Sequence, residues 1–339
     1  MSEQASPKEP AVLLNEKGTH LLNSGTILAA TDLSANSQAA IQYACNLAKL
    51  TQGTIILLHV FELPAFASKP EIYFSSRDAT FEVEATQDAV LERLHAIRDE
   101  TVNPQVPCAS SMRIGTPYEE IVDEAEKRRV DLIVVGTQGK SGVGRFLMGS
   151  TAERVCRHAP CSVLVVPHEP ASRELNSTVE TARELKLRKI LVPTDLSKNS
   201  LTAVDCAARL AKLTGAHLAL FHVFQIPDYT TNPDSYHSPK GAQSDIAAAE
   251  CRALERLQSL CEKVTASGGK CDAGIRTGVP YQEIIEEAEK IVPDLIVVGT
   301  QGATGIARFL MGSTAERVLR HSPCPVLVVR DLTVETGRF

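Results

Sequence analysis

The sequence lacks any long hydrophobic run, and this absence excludes a membrane-spanning helix. No stretch of about 18 apolar residues occurs, and roughly that many are needed to cross a bilayer as a helix. Residues 1–20, MSEQASPKEPAVLLNEKGTH, are polar and contain no apolar core of a secretory signal. We therefore expect a cytoplasmic protein with no membrane partner.

The sequence also lacks a strong excess of charge and a regular cysteine framework. The formal net charge is −6 over 339 residues, which gives no reason to expect nucleic acid as a partner. The nine cysteines are an odd number, and none of them forms a C-x-x-C pair. This pattern favours buried thiols in a reducing compartment over a set of disulfides.

The most informative feature that is present is a long internal repeat. The segment Asp131–Val166 is identical at 29 of 36 positions to Asp294–Val329, which lies 163 residues later. The same offset relates Asp32 to Asp195. A repeat of this length indicates a duplicated domain rather than a short recurring motif.

The repeat divides the chain into two domains with polar segments around them. Each repeat has the usual size of a domain and should bury its own core. The expected boundaries are a mobile N-terminal tail at 1–22, a first domain at 23–168, a linker at 169–187, a second domain at 188–331 and a C-terminal tail at 332–339.

Each repeat alternates apolar runs with amphipathic segments. In the first repeat, the runs TILAAT, TIILLHVF, CASSMRIG, DLIVVG and SVLVV are predicted strands. The helix after the first strand is expected to be capped by Ser34 and to end at Gly53. The acidic stretch YEEIVDEAEKRR is expected to form the exposed face of another helix.

Buried strands that alternate with helices imply an α/β fold with a parallel sheet covered on both faces. We predict two tandem doubly wound, Rossmann-like, five-stranded parallel-sheet domains with strand order 3-2-1-4-5. In that order the chain reverses direction between the first and fourth strands. Asp32 and Gly136, which end those strands, should therefore face one ligand-binding crevice.

A glycine-rich loop follows the fourth strand in both repeats. It reads VVGTQGKSGVGRFLMGSTAERV in the first and VVGTQGATGIARFLMGSTAERV in the second. A P-loop is excluded because its first glycine would fall at Val134, and because the second copy has Ala303 in place of Lys140. A dinucleotide fingerprint is excluded because Leu147 stands where the third glycine belongs.

The spacing that fits both copies is G-x-x-G, nine residues, then G-S. The residues are Gly136, Gly139, Gly149 and Ser150, and again Gly299, Gly302, Gly312 and Ser313. This spacing resembles the ATP-binding signature of the universal stress protein (UspA) family. The resemblance covers nearly all of both repeats, including the aspartates after the first strands, the HV of the second strands and the PC-VLVV endings. The chain is similar to tandem two-domain members of that family.

The resemblance implies a ligand, a fold group and an assembly. The fold would belong to the adenine nucleotide alpha hydrolase-like group, and the cofactor would be ATP, with or without Mg²⁺. The last strands of the two domains, SVLVV and PVLVV, would pair within the chain as a pseudo-dimer or support a homodimer. A regulatory protein partner of unknown identity is also implied.

The predicted binding residues combine this resemblance with the physics of glycine and of helix ends. Glycines let a backbone approach ribose and phosphate without a Cβ in the way. The amides at the start of the helix after the loop favour an anion. By resemblance, Asp32 and Val60 lie at the ribose and adenine. The full set is Asp32, Val60, Gly136, Gly139, Lys140, Gly149, Ser150 and Thr151 in the first repeat, and Asp195, Val223, Gly299, Gly302, Gly312, Ser313 and Thr314 in the second.

Several structural interpretations compete with these assignments. The glycines could serve only as turns, and Asp32 could serve only to cap the following helix. His59 lies in an apolar strand and is expected to be a hydrogen-bonded core histidine rather than a ligand. The segment CRHAPC offers Cys156, His158 and Cys161 to a zinc ion, but no fourth ligand is evident.

Three functions remain open on the sequence. The favoured one is an ATP-binding regulator in the stress response with little or no hydrolysis, because no carboxylate lies between Gly136 and Thr151. The alternative is a slow ATPase or nucleotidyl-transfer enzyme on the same fold. The third is an interaction protein whose glycine loop is structural. We predict no catalytic residue and no protein-held metal.

Overall fold

The computed structural model describes residues 25–62, 77–137, 148–167, 186–225, 242–300 and 311–330. The expected tails and most of the expected linker lie outside these residues. So do three predicted site residues, Gly139, Lys140 and Gly302.

Strands and helices alternate along both halves, as the apolar runs predicted. The strands are β1 (Thr26–Thr31), β2 (Thr54–Phe61), β3 (Cys108–Ile114), β4 (Leu132–Gly136), β5 (Ser162–Val166), β6 (Lys189–Pro193), β7 (His217–Phe224), β8 (Lys270–Thr277), β9 (Leu295–Gly299) and β10 (Val326–Val329). The helices are α1 (Ala35–Thr51), α2 (Arg77–Thr101), α3 (Pro117–Arg128), α4 (Ser150–His158), α5 (Lys198–Thr214), α6 (Ala242–Ala266), α7 (Pro280–Ile291) and α8 (Ser313–His321).

All ten strands join in one sheet with the order β3-β2-β1-β4-β5-β10-β9-β6-β7-β8. Within each half the neighbouring strands are parallel and follow the predicted order 3-2-1-4-5. The fold class is thus confirmed. Because the crossovers are helical, both faces of the sheet are covered.

The two halves meet through an antiparallel pairing of β5 with β10, so the expected pairing of the last strands within one chain is confirmed. Leu164 lies opposite Leu327 at the centre of this register. These leucines occupy equivalent positions in the two repeats, 163 residues apart. A pseudo-two-fold axis therefore passes through this pair. Association of two chains stays a prediction.

Two apolar layers hold the sheet between its helices. Successive residues of a strand point to opposite faces, so Ile27 and Ala29 join one cluster while Leu28 joins the other. The first cluster continues into α1, α2, α5 and α6, and the second into α3, α4, α7 and α8. Each half therefore has a doubly covered core that fixes the carboxyl ends of its strands.

The first helix differs from expectation at both ends. The left-handed residue that ends it is Gln52, with φ 54°, rather than Gly53; the second repeat has Gly215, with φ 72°, at the equivalent place. Ser34 occupies the N-cap position, but its side chain makes no capping hydrogen bond. Its hydroxyl bonds to Asp32 instead. Residue propensities alone could not predict whether the Ser34 hydroxyl bonds to a backbone amide of the helix or to Asp32.

The cysteine expectation was partly wrong. Cys261 and Cys271 form a disulfide that joins α6 to β8, while the other seven cysteines are free thiols. Burial raises the pKa of Cys45 and Cys206 to about 12, which keeps these thiols protonated. Four of the seven free thiols, those of Cys45, Cys156, Cys161 and Cys206, are buried as expected, whereas Cys108 and Cys324 are partly buried and Cys251 is exposed.

The acidic helix α3 is not only an exposed face. The side chain of Glu124 is 4% exposed and accepts hydrogen bonds from Arg113 Nη1 at 3.2 Å and Arg128 Nε at 3.2 Å. A buried carboxylate needs such partners. The sequence pattern could not reveal the ion pair with Arg113, because that residue comes from the neighbouring strand β3.

In the part of the chain that the structure describes, no helix has both the length and the apolar character to cross a membrane.

Candidate functional site

The predicted crevice lies at the carboxyl ends of β1 and β4. These strands are parallel neighbours, with Ala29 opposite Val134. Asp32 directly follows β1, and Gly136 ends β4. The sheet therefore brings Asp32 and Gly136 to one edge, and the same arrangement brings together Asp195 and Gly299 in the second half.

Each of the two aspartates organises a tight turn. Asp32 Oδ1 accepts a hydrogen bond from Ser34 N at 3.0 Å and another from Ser34 Oγ at 2.6 Å. Asp195 Oδ1 accepts one from Ser197 N at 3.0 Å. Each aspartate therefore has a structural role. Its hydrogen bonds hold one carboxylate oxygen at the entrance of its crevice.

The residue after each aspartate has a left-handed backbone, which no sequence pattern indicates. Leu33 has φ 64° and Leu196 has φ 63°. A left-handed leucine costs on the order of 1–2 kcal/mol. Both side chains are buried, at 8% and 9% exposure, so their packing offsets that cost. Such strain is common where a fold positions a functional group.

A histidine on the second strand supports each of these turns. His59 Nδ1 lies 2.8 Å from Thr31 O, and His222 Nδ1 lies 2.8 Å from Thr194 O. Because a carbonyl oxygen can only accept, Nδ1 carries the proton. His59 is only 6% exposed, so the expectation of a hydrogen-bonded core histidine is confirmed. It holds the end of β1 in place.

The glycine loop is closed at its base by the same hydrogen bond in both halves. Gly149 N donates to Thr137 O at 2.7 Å, and Gly312 N donates to Thr300 O at 2.8 Å. A Cβ on Gly149 would lie 3.1 Å from Thr137 O, which is tighter than an ordinary contact. A side chain at position 149 would therefore require a shift of a few tenths of an ångström where the helix start meets the end of β4.

Among the described residues, no side chain caps the amides at the start of the helix that follows the loop. The N-cap residues of α4 and α8 are Gly149 and Gly312, and neither helix has a side-chain capping hydrogen bond. By contrast, the N-cap Ser197 of α5 accepts a hydrogen bond from Ser200 N. Within the part of the chain that the structure describes, the first amides of α4 and α8 therefore have no side-chain cap, and the positive end of each helix dipole lies beside the end of the fourth strand of its half.

Hydroxyl groups stand beside these amides. Ser150 and Thr151 are the first two residues of α4, and Ser313 and Thr314 are the first two of α8. The serines are exposed and the threonines half-buried. Together with the amides, they form a set of donors that can bind an anion.

The nearest acids in these helices are engaged elsewhere. Glu153 accepts hydrogen bonds from Arg157 Nη2 at 2.9 Å and from Arg320 Nη2 at 3.1 Å. Glu316 pairs with Arg320 at 3.0 Å and with Arg157 at 3.4 Å. These four residues form an ionic quartet across the two halves. The quartet holds both glutamates at the contact between the halves.

The other predicted residues take less distinctive positions. Val60 is 9% exposed and belongs to the apolar layer, and Val223 packs against that layer. Both lie on the strand next to the one that carries the aspartate. Within the described ranges, no group of three His, Cys, Asp or Glu side chains could hold a metal ion. Cys156 and Cys161 are buried, and burial raises the pKa of each thiol to about 12, which disfavours zinc ligation.

Comparison with known proteins finds one family model that matches both halves. The model, described as the universal stress protein family, matches residues 23–167 and 186–330. A universal stress protein of Mycolicibacterium smegmatis is 28% identical over 313 residues, covering 90% of this chain and 96% of its own. Another, of Methanocaldococcus jannaschii, is 37% identical over 160 residues, covering 46% of this chain and 89% of its own. The crystal structure of a universal stress protein from Archaeoglobus fulgidus has a TM-score of 0.62 at 24% identity, covering 91% of this chain and 97% of its own.

Proposed function

Because the chain belongs to the universal stress protein family, we propose that it is a nucleotide-dependent regulator that binds ATP in each domain and hydrolyses little or none of it. The ribose and adenine would lie at Asp32 and Val60 in the first domain, and at Asp195 and Val223 in the second. The phosphates would lie at the glycine loop and at the helix start that follows it.

One observation carries this proposal. In both halves a helix start with no side-chain cap among the described residues lies at the carboxyl end of the fourth strand, beside the aspartate turn that follows the first strand. Free amides and a helix dipole favour a multiply charged anion, and a nearby carboxylate can accept hydrogen bonds from ribose hydroxyls. A nucleotide has phosphates for the helix start and ribose hydroxyls for the carboxylate. A purely structural loop would need neither of these two features.

The low turnover follows from the groups that surround the phosphates. Hydrolysis requires an oriented water and neutralisation of charge at the γ-phosphate, usually with a metal held by carboxylate or hydroxyl groups. Glu153 and Glu316 are paired with arginines of the ionic quartet. Any Mg²⁺ would then arrive with the phosphates and be held by Ser150 or Thr151 and water. Bound ATP would act by favouring one arrangement of the loop, and thereby one affinity for a protein partner.

Calorimetric titration of the purified chain with ATP tests the proposal directly. We expect two sites per chain, one site after Gly149→Val or Gly312→Val, and none in the double variant. Circular dichroism and the urea midpoint serve as controls that the variants stay folded. Absence of ATP binding to the folded wild type would leave only a structural role for the loop.

Turnover distinguishes the regulator from an enzyme on the same fold. We expect phosphate release far below the median enzyme rate of about 10 per second. A rate near that value, abolished by Asp32→Ala together with Asp195→Ala, would establish the ATPase alternative instead.

A further inference from the structure

The threonine before each aspartate closes the turn in which that aspartate lies. Thr31 and Thr194 are buried, with exposures of 6% and 5%. Thr31 Oγ1 accepts a hydrogen bond from Leu33 N at 3.0 Å. In the second half, Thr194 Oγ1 accepts one from Leu196 N at 3.1 Å. The residue after the aspartate is thus tied to the residue before it.

A second hydrogen bond fixes the peptide group that leads into each aspartate. Thr31 lies opposite His59 in the register of β1 and β2. His59 Nδ1 donates to Thr31 O at 2.8 Å, and His222 Nδ1 donates to Thr194 O at 2.8 Å. The Thr31 carbonyl and the Asp32 amide belong to one planar peptide group. The histidine therefore restricts rotation of that group, and with it the direction in which the aspartate side chain leaves the backbone.

Burial of this histidine carries a cost that the strand could have avoided. His59 is 6% exposed, and polar atoms that are removed from water need partners. Leu57, two residues earlier on the same face of β2, packs in the apolar layer without that need. The hydrogen bond to the Thr31 carbonyl offsets part of the cost, so the position of the histidine is accounted for by the turn that it holds.

The same strand supplies the residue proposed for the adenine. Val60 directly follows His59 on β2, and Val223 directly follows His222 on β7. Successive residues of a strand point to opposite faces, and Val60 belongs to the second apolar layer. One strand therefore carries the proposed adenine contact and, through its histidine, holds the proposed ribose acceptor at a set distance from it.

We propose that His59 and His222 are positioning residues that give each nucleotide site its selectivity for the ribose hydroxyls. This inference rests on the proposed function, in which Asp32 and Asp195 accept hydrogen bonds from the ribose. Hydrogen bonds between oxygen atoms vary by only about 0.5 Å in length. A carboxylate that moves further than this loses the hydroxyl, while the phosphates stay bound at the helix start.

Calorimetric titration of Gly312→Val, which retains the first site, with ATP, 2′-deoxy-ATP and 3′-deoxy-ATP tests the proposal. We expect ATP to bind at least about tenfold more tightly than one of the two analogues, because a hydrogen bond to a carboxylate is lost. His59→Leu should reduce this preference to about threefold or less, and should change the affinity for that analogue by less than about twofold. His59→Asn keeps an amide donor near the position of Nδ1 and should recover most of the preference.

A variant on the same face of β2 separates selectivity from stability. Leu57→Val removes one methylene group from the core, so it should lower the urea midpoint and leave the preference for ATP unchanged. Binding of ATP and both analogues with equal affinity, wild-type preference in folded His59→Leu, or the same loss of preference in Leu57→Val would each overturn this inference and leave the proposed function standing. No ATP binding to the folded chain would overturn both.

Discussion

Asp205 on α5 is a half-buried carboxyl that should make stability depend on pH. Burial raises its pKa from 3.8 to about 6, although Arg209 and Lys263 oppose the shift. The folded chain therefore holds this proton more tightly than the unfolded chain does. The free energy of unfolding should fall as the pH rises from about 4 to about 6, and the loss should stay constant above that range.

We predict that Asp205→Asn removes this contribution. Because the side chain is partly exposed, we expect the variant to gain about 1 kcal/mol at pH 7 relative to the wild type. The measurement is urea unfolding of both proteins at several values between pH 4 and pH 7. The difference in free energy of unfolding between the two proteins should increase across this pH range. A difference that does not change with pH would contradict the raised pKa of Asp205.

Lys140 should make the two nucleotide sites unequal. The second repeat has Ala303 at the equivalent position, and a lysine adds a positive charge that a triphosphate meets more strongly than a diphosphate. We predict that the first site prefers ATP over ADP by up to about fivefold more than the second, a difference of about 1 kcal/mol.

Variants with one functional site allow this comparison. Gly312→Val would isolate the first site and Gly149→Val the second, and titration with ATP and ADP would give the preference of each. Lys140→Ala should reduce the difference between the two sites in their preference for ATP over ADP. Ala303→Lys should raise the preference of the second site for ATP. Equal preferences before and after these changes would show that the lysine is a solvated loop charge.

At the scale of single elements, helix α4 receives a cap from the other half of the chain. Arg330 Nη2 donates to Arg157 O at 3.1 Å and to Cys156 O at 3.3 Å, at the last turn of α4. A cation there satisfies free carbonyls and opposes the negative end of the helix dipole. We predict that Arg330→Ala lowers the free energy of unfolding by about 1 kcal/mol, measured with urea, and that Arg330→Lys restores part of it. Wild-type stability in Arg330→Ala would mean that water replaces the cap.

The disulfide between α6 and β8 can be tested by counting thiols. Of the nine cysteines, two are joined and seven are free. The purified chain, denatured without reductant, should therefore react as seven thiols and after reduction as nine. Closing a loop of this length should stabilise the fold by about 2–3 kcal/mol, so Cys261→Ser with Cys271→Ser should lower the urea midpoint. Nine thiols before reduction would show that the bridge does not form.

The helices and strands were largely predictable from the sequence, whereas the turns, ion pairs and hydrogen bonds that connect them were not. Helix α4 and strand β5 have the predicted bounds because apolar periodicity and helix-start residues act over a few neighbours. The left-handed Leu33 and the buried Glu124 were missed, because a φ value or a partner such as Arg113 depends on residues distant in sequence. The disulfide was missed because Cys261 and Cys271, although only ten residues apart, are brought together by the packing of α6 against β8. Glycine spacing indicated the loop, but the hydrogen bond at its base appears only in three dimensions.

At the scale of the whole molecule, the pair Leu164 and Leu327 permits a test of the pseudo-symmetry. Both are buried at the centre of the β5–β10 register, so Leu164→Ala and Leu327→Ala should each cost about 3 kcal/mol. Because the two side chains share one contact, the double variant should cost at least about 0.5 kcal/mol less than the sum. Urea unfolding of the four proteins completes the cycle, and simple additivity would show that the halves are stabilised separately.

The antiparallel join of β5 with β10 has a consequence for how the two halves can change over time. In a homodimer, one substitution necessarily alters both subunits. A contact that only one subunit makes to the other therefore cannot be gained without the same substitution in its partner. In a single chain each half can acquire its own residues. Arg330 caps α4 while its repeat equivalent is Pro167, and Ala219 stands where the first half has Ile56. Fusion thus allows the halves to specialise while the strand pairing between them is retained.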